Sequence, residues 1–264
     1  MTARTEAIQH FTVHRDGVTI PVVRGGRGRP LVFFPGLLTT QADLCELIGL
    51  LRVDHDVVTF DYWGHGRASA ADSYSFEAFL GDVGAVLAEL PHFDHPVLVG
   101  HSLGADLAVH YAAEYPDAVG ELVLIDGANP IPEPFITAAD LPEFSALWEE
   151  FAAQHEALEE TPRQVLLTAQ DILDLNVELD TIRSGILDLY RNVECPITMI
   201  MSTSMAGDDT DGRTVWRNRN WRTGIERLVR EHPHISTTWL DAGHALPLTH
   251  APDIARIVRS TRGS

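Results

Sequence analysis

Apolar residues along the chain follow two rhythms that take turns. Short, nearly continuous apolar runs at 31–34, 57–60, 97–99, 121–126 and 196–201 read as strands buried on both faces. Between them lie stretches whose apolar residues recur at helical spacing: 42–51, 76–90, 103–114, a segment near 221–230, and a last one around Ile254, Ile257 and Val258. In 76–90 the apolar positions are Phe76, Phe79, Leu80, Val83, Val86, Leu87 and Leu90, which line one side of a helix. Segments 11–13 and 18–23 flank Asp16-Gly17 and predict a hairpin at the start, and 236–240 predicts a last strand. Strand and helix in regular alternation imply an α/β chain whose eight-stranded, mostly parallel sheet is flanked by helices on both faces.

The alternation stops between 129 and 192. Pro130, Pro132 and Pro134 open this stretch, and no parallel strand is evident in it. Phe144, Leu147, Trp148, Phe151 and Leu158 then form a stripe at helical spacing, with Glu143, Glu149, Glu150, Glu156 and Glu159 off it. Such a stripe either packs on a core or walls a binding site, and an inserted helical cap would do both. The expected organisation is therefore a core in two parts, 1–128 and 193–264, interrupted by a cap at 129–192.

Composition narrows the partners. With 19 basic and 38 acidic side chains the net charge is -19, which repels nucleic acid and anionic membrane surfaces. No apolar run approaches membrane-spanning length. Cys45 and Cys195 follow no metal or redox spacing, and residues 1–10 do not read as a secretory leader, so reduced thiols in a cytoplasm are expected. Nothing bears on the oligomeric state.

The chemistry centres on Gly100-His101-Ser102-Leu103-Gly104, which sits between an apolar strand and a helix. A serine on so sharp a turn stands clear of the backbone as a nucleophile, with small residues on either side relieving the crowding. Serine needs a base, and His244 in Asp241-Ala242-Gly243-His244, directly after the last strand, is placed to reach it. His101 reads as a support of the turn. His92, Asp94 and His95 have ligand chemistry but lie in a turn before the nucleophile strand, so no metal is expected there. Gly25-Gly26-Arg27-Gly28 opens no helix and is not a phosphate cradle.

These pieces, together with Pro35-Gly36 and Asp61-x-x-Gly64-His65-Gly66-Arg67, resemble the α/β-hydrolase superfamily over nearly the whole chain. The resemblance implies a catalytic triad and an oxyanion hole made by the backbone N–H groups of Leu37 and Leu103. It leaves two places for the acid. Many members carry it after the strand matching 196–201, where Asp208, Asp209 and Asp211 lie; a minority, including lactone hydrolases that open mycotoxin macrolactones, carry it where Asp126 stands. Asp126 is the preferred candidate. Trp63, Trp148, Phe151 and Trp216 are candidate substrate contacts, and Trp221 is a further tryptophan available to line a pocket. The expected activity is hydrolysis of an ester or lactone of a hydrophobic small molecule, without cofactor or metal. A thioesterase and a low-turnover ligand-binding member of the fold are the alternatives.

Overall fold

The computed structural model describes residues 7–261, so the first six residues, part of the stretch read for a leader, lie outside it. Its frame is an eight-stranded sheet in the order β1-β2-β4-β3-β5-β6-β7-β8. The strands are β1 (Gln9–Arg15), β2 (Val18–Gly26), β3 (Arg29–Phe34), β4 (His55–Phe60), β5 (Val97–His101), β6 (Glu121–Ile125), β7 (Ile197–Ser202) and β8 (Ser236–Leu240). β1 pairs antiparallel with β2 and β2 with β4; every other pairing is parallel. The eight apolar runs thus become the eight strands, with ends shifted by a few residues.

Alternation within each strand divides the core into two layers. Val32 and Phe34 of β3, with Leu122 and Leu124 of β6, face a layer shared with α2 (Phe76–Ala88), α3 (Leu103–Glu114) and α6 (Gly212–Glu231). Leu31 and Phe33, with Val123 and Ile125, face the other side, covered by α1 (Cys45–Leu51), α7 (Leu246–Thr249) and α8 (Ala251–Ser260). Full burial of each such side chain contributes roughly 1.5–3 kcal/mol, which is why a one-residue slip of a central strand is not tolerated. Among the described residues no helix is long and apolar enough to cross a membrane.

Between β6 and β7 the chain forms two helices, α4 (Leu141–His155) and α5 (Ala169–Leu189), where the sequence pattern shows a single stripe. The second helix begins at a capping box, in which Thr168 accepts from Asp171 N and the Asp171 carboxylate accepts from Thr168 N. It buries Ile172, Leu175, Leu179 and Ile186 against the core. No residue of α4 is fully buried. Its attachment is mostly polar: Arg213 and Arg217 of α6 pair with Asp140, and Arg217 also pairs with Glu143. After α4 the chain docks on the 64–66 turn, where Leu166 N donates to Gly64 O at 2.7 Å and Gly66 N to Gln164 O at 2.9 Å.

Candidate active site

Four segments meet at the carboxyl ends of parallel strands, the usual position of a site in an open α/β sheet. Ser102 follows β5, Leu37 follows β3, Asp126 follows β6 and His244 follows β8. Ser102 takes φ 51° and ψ -119°, a conformation that side-chain-bearing residues rarely adopt. The flanking glycines are sterically required: a Cβ on Gly100 would lie 2.2 Å from Gly104 O, and one on Gly104 would lie 2.1 Å from Phe34 O. The turn is fixed by Ser102 N donating to Ile125 O at 2.9 Å.

The His244 imidazole bridges the other two groups. Its Nε2 lies 2.9 Å from Ser102 Oγ and its Nδ1 2.8 Å from Asp126 Oδ2. With Nδ1–H donating to the carboxylate, Nε2 is free to accept the serine proton. Asp126 is fully buried and every approach to it is a donor: Oδ1 accepts from Ser202 N and Trp221 Nε1, each at 3.0 Å, and Oδ2 accepts from Ser202 Oγ at 2.7 Å as well as from His244. Burial alone would raise the carboxyl pKa, but the bonds to His244 and Ser202 outweigh it and hold the group below its ordinary value. Asp126 is therefore a carboxylate at neutral pH.

Supporting groups surround the bridge. His101 Nε2–H donates to the His244 carbonyl at 2.9 Å, and burial pushes its pKa down to about 3, so the ring is neutral and holds the His244 loop through a single tautomer. The loop after β3 is set by the 61–67 segment. Leu38 N donates to His65 Nε2 at 3.1 Å, and the Asp61 carboxylate accepts from Gln41 N at 2.8 Å, Gln41 Nε2 at 3.1 Å and Arg67 N at 3.3 Å. Burial lowers His65 to about 4, which keeps it neutral and able to accept from Leu38. Among the described residues no acceptor takes the backbone N–H of Leu37 or of Leu103.

A cavity of about 390 Å³ opens over Ser102 and His244. Of the four aromatic candidates, only Trp148 lines it. Trp63 lies beneath Arg15 at 5.6 Å, Trp216 beneath Arg213 at 4.1 Å, and Phe151 stacks on the His155 ring at 3.7 Å, so each is engaged elsewhere. Trp221 is buried and serves Asp126 rather than the cavity. Of the later aspartates, Asp211 caps α6 by accepting from Arg213 N and Thr214 N, Asp209 reaches only the cavity wall, and none bonds His244. The wall is less apolar than the stripe on α4 implied, because Asp180, Arg183 and Arg217 also line it. These charged residues were not foreseen. A signal for one of them existed in Asp106, a charge set among Ala105, Leu107, Ala108 and Val109, which demands a buried partner.

The family described as alpha/beta hydrolase fold matches residues 29–220. Among curated proteins, the chain is 32% identical over 124 residues to 2-(acetamidomethylene)succinate hydrolase of Mesorhizobium japonicum, a stretch covering 46% of this chain and 44% of that one. The chain spans less than half the length of the curated relatives it matches. Among solved structures, the thioesterase domain from the curacin biosynthetic pathway superposes with a TM-score of 0.68 at 22% identity, covering 97% of this chain and 100% of that one. A thermophilic esterase from Thermogutta terrifontis superposes with a TM-score of 0.69 at 17% identity, over 96% and 97% of the two chains.

Proposed function

The chain belongs to the alpha/beta hydrolase fold family, and from that premise we propose that it is a serine hydrolase cleaving an ester or lactone of a small molecule through an acyl-enzyme. The observation that carries this reading is the unbroken relay from Ser102 Oγ through His244 to a buried, ionised Asp126. Ser102 Oγ bonds the substrate carbonyl carbon as its proton passes to His244 Nε2. The carbonyl oxygen, now negative, accepts from the free N–H groups of Leu37 and Leu103. Collapse expels the alcohol, which takes the proton from the imidazolium; a water then gives a proton to His244 as it attacks the acyl carbon, and the second collapse breaks the bond to Ser102 Oγ, which takes that proton back as the acid leaves. Asp126 holds the tautomer and stabilises the imidazolium. No step calls on a cofactor or a metal.

Residues 129–192 act in this reading as a lid, and the mixed wall selects a small molecule with an apolar part and a polar group. Esterase, thioesterase and acetamidomethylene-succinate hydrolase appear among the proteins similar to this chain, so the bond class is the point to test. Matched aryl ester, lactone and thioester substrates are expected to give kcat/KM at least about tenfold higher on the ester or lactone than on the thioester. The reverse order would make the protein a thioesterase. Absence of turnover on all three, with no covalent labelling of Ser102 by a fluorophosphonate, would overturn the assignment.

The lid also predicts selectivity. Trp148→Ala should raise the rate on a p-nitrophenyl hexanoate relative to the acetate by roughly tenfold, because it widens the cavity. Phe151→Ala should move that ratio less than about twofold, its ring being stacked on His155 away from the lining. An unchanged ratio in Trp148→Ala, with a lowered melting temperature, would assign that tryptophan to packing alone.

A further inference from the structure

Asp126 and Ala128 both have left-handed backbone, φ 45° and 51°, although neither is glycine. A turn of this kind persists only where its surroundings fix it. The restraint falls on Ala128, whose N–H donates to Asp106 Oδ1 at 3.1 Å and whose carbonyl accepts from Tyr190 Oη at 2.6 Å, both bonds being fully buried. Asp106 lies on α3 one helical turn beyond Ser102, with no exposure to solvent. A carboxylate in that position needs a counter-charge, and Arg183 of α5 supplies it as a fork: Nε lies 3.2 and 3.1 Å from the two carboxylate oxygens and Nη2 2.7 Å from Oδ2. The same guanidinium lies over the Trp221 ring at 5.5 Å, and Trp221 Nε1 donates to Asp126 Oδ1. One cation therefore reaches both ends of the turn, Ala128 through Asp106 and Asp126 through Trp221.

We propose that the Asp106–Arg183 pair is a positioning device, which sets the turn at 126–128 and so aims Asp126 at His244 from the nucleophile helix and α5 together. It rests on reading Ser102, His244 and Asp126 as a triad. A buried pair that merely joined α3 to α5 would be replaceable by neutral side chains of similar volume, with stability and rate both retained. A positioning pair is replaceable for stability but not for rate, unless the new residue keeps an acceptor for Ala128 N.

The test uses the full chain and fluorophosphonate labelling followed by intact-protein mass, which separates the maximal rate of labelling from the apparent affinity. Asp106→Leu with Arg183→Met removes both charges and the acceptor. It is expected to lower the maximal rate at least about tenfold, as misplacement of a catalytic group does, while any change in affinity belongs to the loss of Arg183 from the cavity wall and is common to both double variants. Asp106→Asn with Arg183→Met loses the same guanidinium from the cavity wall but keeps an amide oxygen for Ala128 N, so its maximal rate should exceed that of the leucine variant at least about fivefold. Equal maximal rates in the two double variants, or a loss confined to affinity, would overturn the proposal. If the leucine variant does not fold, Tyr190→Phe frees the Ala128 carbonyl without a change of charge, and a parent-like maximal rate there overturns it equally. A parent protein that is not labelled at Ser102 would instead refute the triad reading itself.

Discussion

Ser102→Ala is expected to lower kcat on any ester the protein hydrolyses by at least about 10⁴-fold, while KM and melting temperature stay close to the parent values. The size of the loss follows from the relay. Without Oγ, His244 Nε2 has no proton to accept, and the backbone N–H groups of Leu37 and Leu103, in the proposed reading, can polarise a carbonyl but form no bond to it. The same variant should show no adduct after treatment with a fluorophosphonate, whereas the parent should gain a single one. An adduct persisting in Ser102→Ala, or turnover within tenfold of the parent, would move the nucleophile elsewhere.

The next largest effect is expected at the acid. Asparagine preserves the size of Asp126 but not its charge, and a swap of this kind in a serine protease lowers turnover about ten-thousand-fold. Here the new amide NH₂ would face groups that donate to the carboxylate, Ser202 N, Ser202 Oγ, Trp221 Nε1 and His244 Nδ1; only the Ser202 hydroxyl oxygen or an unprotonated His244 Nδ1 could accept from it, and the latter fixes the tautomer that cannot take the serine proton. Asp126→Asn should lower kcat at least about a hundredfold. Asparagine at Asp208 or Asp209 should change it less than about tenfold, and so should the same swap at Asp211, whose role is to cap α6. A dominant loss at Asp208, Asp209 or Asp211 would place the acid on the later loop.

The strands and the sharp turn at Ser102 were legible because their signals are local. Alternating burial is written into runs such as 31–34 and 121–126, and the elbow declares itself through glycines that no other residue can replace at that spacing. The acid is of another kind. Which carboxylate meets His244 depends on how loops after β6 and β7 end in space, and the pattern of residues at either loop permits both. Three of the aromatic candidates lie outside the cavity lining for a related reason: Trp63, Trp216 and Phe151 have partners, Arg15, Arg213 and His155, that a sequence offers no means of ranking against a ligand. Asp106 and Arg183 stand 77 positions apart and belong to different parts of the fold. A buried charge in α3 announces that a partner exists, not where it is.

Helix α4 has a consequence for how the protein opens. Its 15 residues include none that is fully buried, and its best anchors, Asp140 at its N-cap and Glu143 in its first turn, are held by Arg213 and Arg217. Undoing its far end exposes little new apolar surface, so the free energy of that local opening is well below that of unfolding the sheet. Amide hydrogens toward the carboxyl end of α4 will then exchange with solvent through brief local openings, while those of β5 and β6 wait for the whole domain to unfold. Ser102, Asp126 and His244 sit on elements that stay assembled throughout, and the α4 residues that line the cavity, Glu143, Phe144, Leu147 and Trp148, lie in the anchored half of the helix.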